Sequence, residues 1–360
     1  MLLTYNRDDA SDRYATMELN YVLPIDQTGW AIDGKTNASF RWDYDKAGPA
    51  LLNLYQKGKQ QQWDAEQRID WLQDLDPENP AMLVDETISI YGSEIWNRMN
   101  EAERANLRRH LQAWQISQFL HGEQGALICS AKLVQQAPAI DAKYFAATQV
   151  MDEARHVESY SRLLREKFEL AYPITAPLKA LLNDVVADSR WDMTYLGMQV
   201  LIEGLALAAF QLFRDQAKNP LVSAVNAYVM QDEARHVAFG QIVLRDYYPQ
   251  LGDAERRVRE EFVVESCYRL RDRLLSEELW ENVGLPKAAC LDFARQSATA
   301  KGFQLRLFSR IVPLIREIGL CGPTVRRAFA QMGMLSLVNV DLAPTLADDA
   351  RVAARFDAAP

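Results

Sequence analysis

The chain has 360 residues, a mass of 41.0 kDa and a formal net charge of −9, with 49% hydrophobic and 25% charged residues. That balance leaves no basic surplus to displace counterions from phosphates, which argues against nucleic-acid binding, and the low Gly and Pro content argues against a long disordered region. Cys129, Cys267, Cys290 and Cys321 are far apart and form no CxxC pair; with no recognisable signal peptide, a reduced, cytoplasmic setting is the expectation.

The first 45 or so residues lack sustained periodicity and read as an extended arm. Lys46 to Trp71 looks helical, and Asp76-Pro77-Glu78-Asn79-Pro80 marks a loop. From about Glu101 to Gln136 a long helical pattern runs to Ala137-Pro138, and a second covers about Asp141 to Leu170 before Pro173. After a shorter segment around Leu178 to Val186, a third long helix spans about Trp191 to Lys218. A fourth begins at Pro220, where the missing amide hydrogen has no helical partner to lose, and ends near Tyr248-Pro249. These four form two antiparallel hairpins.

Ala254 to Leu279 and Pro286 to Ile318 carry further helical spacing, and Gly322-Pro323 precedes another short helix. The expected division is an N-terminal arm and helical extension at 1–100 and a bundle core at 101–250. C-terminal helices at 251–340 and a flexible, Ala- and Asp-rich tail at 341–360 complete it. The most apolar stretch, Leu201 to Phe213, is interrupted by Glu203, so no membrane span is expected.

Asp152-Glu153-Ala154-Arg155-His156-Val157 recurs unchanged as Asp232-Glu233-Ala234-Arg235-His236-Val237, a shift of 80 residues that also carries Glu123 onto Glu203. Both isolated glutamates sit among apolar or small residues, where an unpaired carboxylate is costly to bury and a cation would remove the cost. Glu and His three positions apart share a helix face, so each Glu-x-x-His can offer an oxygen and a nitrogen to one site. Glu123 and Glu153 are each 15 residues from Pro138, and Glu203 and Glu233 are each 15 from Lys218. In antiparallel helices such residues are level, roughly 22 Å from each turn at about 1.5 Å per residue.

This ligand set resembles that of the ferritin-like di-iron carboxylate superfamily, in which two helices supply one Glu each and two others a Glu-x-x-His. All six positions match: Glu123, Glu153, His156, Glu203, Glu233 and His236. The resemblance implies an all-α fold, a ferritin-like four-helix bundle with additional helices at the N- and C-terminal sides. It also implies two iron ions, with manganese or a mixed Mn/Fe pair as variants, and dioxygen as co-substrate. Asp152 and Asp232 suit a supporting role, accepting a hydrogen bond from the imidazole nitrogen that does not face the metal, with Arg155 and Arg235 orienting them. Arg155 and Arg235 read equally well as surface ion pairs.

Tyr160, one turn after His156, resembles the radical-bearing position of the ribonucleotide reductase small subunit, although a hydrogen-bonded core tyrosine is the plainer reading. Its counterpart Gly240 should leave room for a substrate or oxygen channel. His110 is read as an ordinary residue, as is His121, which lies about 200° around the helix from Glu123.

Departures from relatives are specific. The reductase subunit commonly has Asp where this chain has Glu123, and aromatic-amine N-oxygenases can carry an extra His at the place of Val229. Hydroxylases and acyl-carrier-protein desaturases place a Thr where Ala206 and Leu207 stand. The expected function is an O2-dependent di-iron oxidoreductase that hydroxylates or N-oxygenates a small apolar or aromatic substrate. No Gly-rich dinucleotide motif or cluster-binding cysteine set is found, so electrons should come from a separate ferredoxin or reductase. An acyl-carrier-protein desaturase, a ferritin- or rubrerythrin-type iron or peroxide handler and a radical-generating subunit are the alternatives. A homodimer is left open.

Overall fold

The computed structural model describes residues 29–34, 37–40 and 48–357, and among them no β-strand occurs. Most of the expected N-terminal arm therefore lies outside the described residues. Where it is described, Trp30 Nε1 donates to Asn183 Oδ1 at 3.0 Å and the Ser39 hydroxyl to the Ala137 carbonyl at 3.1 Å.

Helix α1, Pro49–Gln60, precedes a single turn Ala65–Arg68 capped by the Asp64 side chain. The expected continuous helix to Trp71 is thus broken, and Gln61, Gln62 and Trp63 occupy the break. Helix α2, Glu101–Gln136, starts at a reciprocal cap: Asn100 accepts from the Glu103 amide at 3.0 Å while the Glu103 carboxylate accepts from the Asn100 amide at 2.8 Å. Helix α3, Ile140–Arg162, widens into a π turn over Leu163–Phe168. The short α4, Ala176–Ala187, leads to α5, which runs Trp191–Tyr195, then as a π segment Leu196–Ile202, then Glu203–Gln216. Asn219 caps α6, Pro220–Tyr247, with Pro220 in its first turn.

α2 packs on α3 and α5 on α6, giving the two hairpins. Two apolar bodies flank a polar layer between them. One contains Ala126, Phe145, Val200 and Phe239, the other Leu107, Tyr160, Phe210 and Val229. In sequence, Glu123, Glu153, Glu203 and Glu233 fall between the members of these two bodies on each of the four long helices.

Beyond the hairpins come α7, Asp253–Asp272, and α8, Glu277–Asn282. The segment read as one helix from Pro286 divides into α9, Lys287–Gln296, and α10, Ala298–Glu317, because Ser297 leaves the helical conformation and caps α10 through the Ala300 amide. α10 packs on α5, and α11, Pro323–Gln331, on α7. The expected flexible tail is corrected: Ala343–Asp357 is a helix, α12, packed on α6. Its Asp349 is held by Arg310 at 2.7 Å and Arg214 at 3.4 Å, both arginines being buried, so a long-range ion cluster orders a segment of weak local signal. One helix, Trp191–Gln216, is long and apolar enough to cross a membrane, but 89% of its most apolar window is buried inside the bundle.

Candidate metal centre

Glu123 on α2, Glu153 and His156 on α3, Glu203 on α5, and Glu233 and His236 on α6 are each no more than 5% exposed. Their donor atoms gather in two groups, each within 4.8 Å: Glu123, Glu153, His156 and Glu233 in one, and Glu153, Glu203 and His236 in the other. Glu153 belongs to both groups. His156 Nδ1 lies 3.2 Å from Glu123 Oε2, 3.3 Å from Glu153 Oε2 and 3.2 Å from Glu233 Oε1. His236 Nδ1 lies 3.1 Å from Glu153 Oε1 and 3.4 Å from Glu233 Oε1. Donors bound about 2.1 Å from a shared ion stand about 3 Å apart, so these separations match those that a coordination shell requires.

Unmet bonding capacity points the same way. Glu153 Oε2, Glu203 Oε2, both Glu233 oxygens and His236 Nδ1 are buried without a hydrogen-bond partner among the described residues. Leaving that many charged acceptors unsatisfied is untenable in a stable core, whereas two divalent cations would satisfy them and balance four glutamates. The residues present therefore fit a dimetal group.

Without metal, protons take over. Burial, reinforced by the field of Glu233, pushes Glu123 and Glu203 well above the usual carboxyl range. Burial opposes ionisation of Glu153 as well, but His236 and His156 outweigh it and hold that carboxyl below its usual range. Burial likewise disfavours charge on both histidines. Asp232 and Glu123 around His156, and Glu153 and Glu233 around His236, overcome it and raise each imidazole well above 6.5.

The far nitrogens are held by a crossed network. His156 Nε2 donates to Asp232 Oδ2 at 3.0 Å and His236 Nε2 to Asp152 Oδ2 at 3.2 Å, each reaching the opposite hairpin. Arg155 bridges both aspartates, at 2.6 Å to Asp152 and 2.7 Å to Asp232, and Arg235 pairs with Asp232. These arginines are buried, which removes the surface-pair reading. Fixing Nε2–H in this way turns each Nδ1 lone pair toward the cluster.

Several contributors escaped the sequence reading. Gln62 Nε2 donates to Asp152 at 2.7 Å, Trp63 Nε1 to Asp232 at 2.8 Å, and Arg235 donates to Gln61 at 3.0 Å. The Arg155 guanidinium lies over the Trp63 ring, 4.7 Å from its centroid. Nothing in the sequence distinguishes these three from a helix face. Gln149, one turn before Glu153, donates to Glu153 Oε1 at 3.0 Å and Glu203 Oε1 at 2.9 Å. Its signal was available: a polar residue on the inward face where the second copy has Val229.

Tyr160 donates to Asn226 Oδ1 at 3.1 Å and stacks on Phe210, with centroids 5.8 Å apart. Burial, then the fields of Glu123 and Glu233, push its phenol well above 10, so it stays neutral. The room expected at Gly240 is filled: a Cβ there would stand 2.6 Å from Gln199 Cβ. His110 pairs with the Tyr172 hydroxyl at 2.6 Å and His121 with the Tyr172 carbonyl at 2.8 Å, both away from the cluster. A narrow cavity of about 30 Å³ opens instead on Glu123, Glu203 and Glu233, walled by Phe119, Ile202, Ala206 and Phe210.

Two mutants of an R2-like ligand-binding oxidase with an anaerobically reconstituted Mn/Fe cofactor are similar in structure. They share 18% and 17% identity at TM-scores of 0.46 and 0.47, with 77% of this chain matched in both and 95% and 96% of theirs. No curated protein sequence matches. The model of the family described as p-aminobenzoate N-oxygenase AurF matches residues 48–319, a span that holds every residue of the cluster and its supporting network. The chain belongs to this N-oxygenase family and, through it, to the ferritin-like di-iron carboxylate oxygenases and oxidases.

Proposed function

We propose that the chain is an oxygenase that transfers oxygen from O2 to a small aromatic substrate, N-oxygenation of an aromatic amine being the leading reaction. Glu123, Glu153, His156 and Glu233 would hold one iron, and Glu153, Glu203 and His236 the other. The observation that carries this reading is the apolar cavity opening directly on three of the four glutamates. A storage or proton-relay site has no need of an apolar approach to its metals, whereas an oxygenase must bring an apolar molecule to them and keep bulk water out.

Two irons, when bound, would supply electrons for the reduction of dioxygen. The remaining work falls to the chain. Asp152 and Asp232 hold the imidazoles in one tautomer, and Arg155 and Arg235 hold the aspartates in place. Gln149 fixes the Glu153 and Glu203 carboxylates relative to one another. Phe119 and Phe210, in edge contact at 4.9 Å, provide ring walls for an aromatic guest. Electrons would come from an external ferredoxin or reductase.

The test is anaerobic loading with ferrous iron, a metal count, and mixing with isotopically labelled oxygen in the presence of arylamines. Two irons per chain and labelled oxygen on the product nitrogen are the expected result. Many irons per chain would indicate storage, and absence of bound metal would overturn the reading.

A further inference from the structure

Of the five glycines on the four long helices, four make room for a neighbour. A Cβ at Gly125 would meet Leu182, at Gly197 Val185, at Gly204 Ile311 and at Gly240 Gln199. Gly122, well inside α2 and one residue before Glu123, is the exception. Its backbone is not in the left-handed region, and a Cβ there would meet no atom of the described residues within 4 Å. Glycine in a helix interior is less favourable than alanine, since it loses more backbone freedom on folding and brings no side chain to pack. Neither packing nor backbone geometry accounts for Gly122. What it does have is a place in the wall of the narrow cavity that opens on Glu123, Glu203 and Glu233.

To that wall α2 gives Gly122 and Ala126, and α5 gives Ile202, Ala206 and Ala209. Gly122 and Ala206 are half-buried, whereas Glu123 and Glu203 are 5% and 2% exposed, so the passage leads inward from the first pair to the second. Gln118 in the wall is engaged at both ends: its Nε2 donates to the Pro173 carbonyl at 2.9 Å, and its Oε1 accepts from the Thr175 amide at 2.9 Å. A volume of about 30 Å³ has room for about one molecule of water size, while a benzene ring needs about 150 Å³. Away from the carboxylates a water finds few partners on such walls, but dioxygen needs none.

We propose that Gly122 is the threshold of a dioxygen passage, kept bare so that oxygen reaches the metals between α2 and α5 while the walls stay in place. A substrate ring enters only when they part. This rests on the oxygenase reading of the cluster and adds to it the route of the gaseous co-substrate, at a glycine of the first hairpin rather than at Gly240 of the second.

Nitric oxide, a diatomic molecule of oxygen's size that colours ferrous iron on binding, is the probe. The full-length protein is loaded anaerobically with ferrous iron, its metal is counted, and nitric oxide binding is timed by stopped flow. Gly122→Leu should slow binding about ten- to a hundredfold, since the new side chain must be pushed aside at every entry. Gly302→Leu, at a glycine of α10 that is equally open among the described residues but outside the cavity, should leave the rate unchanged. Gly122→Ala in the metal-free protein should raise the unfolding midpoint by about 1–2 °C, because nothing is crowded and the unfolded chain loses freedom. No binding to the iron-loaded wild-type protein, an unchanged rate in iron-loaded Gly122→Leu, equal slowing in both Leu variants, or a lowered midpoint in Gly122→Ala would each overturn the passage. Should Gly122→Leu lose its iron, Ala206→Leu narrows the same passage from α5 and must slow binding to a similar extent. Absence of bound iron in the wild-type protein would overturn the oxygenase reading instead.

Discussion

The two hairpins carry the same six-residue motif but are not equivalent around it. In the first, Gln149 stands one turn before Glu153 and bonds two carboxylates, and Tyr160 stands one turn after His156 against Phe210. In the second, those places hold Val229, which is fully buried in an apolar body, and Gly240, which lets Gln199 pack tightly. What repeats is what metal ligation requires, an oxygen and a nitrogen on one face and a crossed aspartate behind it. What differs sits above and below the polar layer, in the apolar bodies that border the cluster.

Removing an anionic ligand should break the symmetry most. Glu123→Ala or Glu203→Ala should keep the helical circular dichroism but weaken binding at one metal position by more than the 10–100-fold typical of an outer-sphere change. Equilibrium metal counts on purified variants check this. Two tightly bound metals in both would remove these residues from the site.

Next in size come the aspartates. Asp232→Asn and Asp152→Asn should each cost about 10–100-fold in metal affinity. The larger loss is expected at Asp232, whose Oδ2 serves Trp63, Arg155 and His156 together. Equal losses would mean that the crossed network is symmetric in energy as well as in sequence.

Gly240→Ala should destabilise the fold by about 1–3 kcal/mol through overpacking, since its new Cβ must displace Gln199 on a fully buried helix face. Chemical denaturation measures it, and a neutral outcome would show that the second hairpin has slack that the packing does not reveal.

The dependence on pH sharpens the comparison of metal-free and loaded protein. Without metal, Glu123 and Glu203 are raised from 4.5, and His156 and His236 from 6.5. Groups whose folded pKa is raised give stability that is full below their unfolded values and is lost as pH rises through the folded ones. The metal-free protein should therefore lose thermal stability on going from pH 6 to pH 9. Loaded protein should be spared, because ligation needs deprotonated donors and strengthens with pH. Thermal scans of both forms give the slopes; parallel slopes would contradict the protonated metal-free cluster.

Tyr160→Phe should have the smallest effect, about 1 kcal/mol of stability from the hydrogen bond lost at Asn226, with the metal count unchanged. A change in metal content would instead tie this hydroxyl to the centre.

Much of this was legible because it is local or repeated. Pro138 announced the end of α2 and Pro220 the start of α6, since proline acts within a few residues. The six cluster positions stood out because helix geometry turns a spacing of three into one face, and equal distance from a turn into equal height. Arg155 and Arg235 could not be told from surface charges, because burial depends on what packs over them.

The sequence by itself determined the all-α class, the four long helices and the residues facing one another at mid-bundle, all consequences of helical periodicity and a duplicated motif. Only the tertiary structure decided which hairpin's aspartate serves which histidine, and that Gln61 to Trp63 cover the network. It alone filled the space at Gly240, ordered α12 through Asp349 and set Gly122 in the cavity wall. These are contacts between residues far apart in the chain, such as the 169 positions separating Trp63 from Asp232. Their energy comes from desolvation and complementary charge at the meeting point, and neither leaves a periodic trace along the chain.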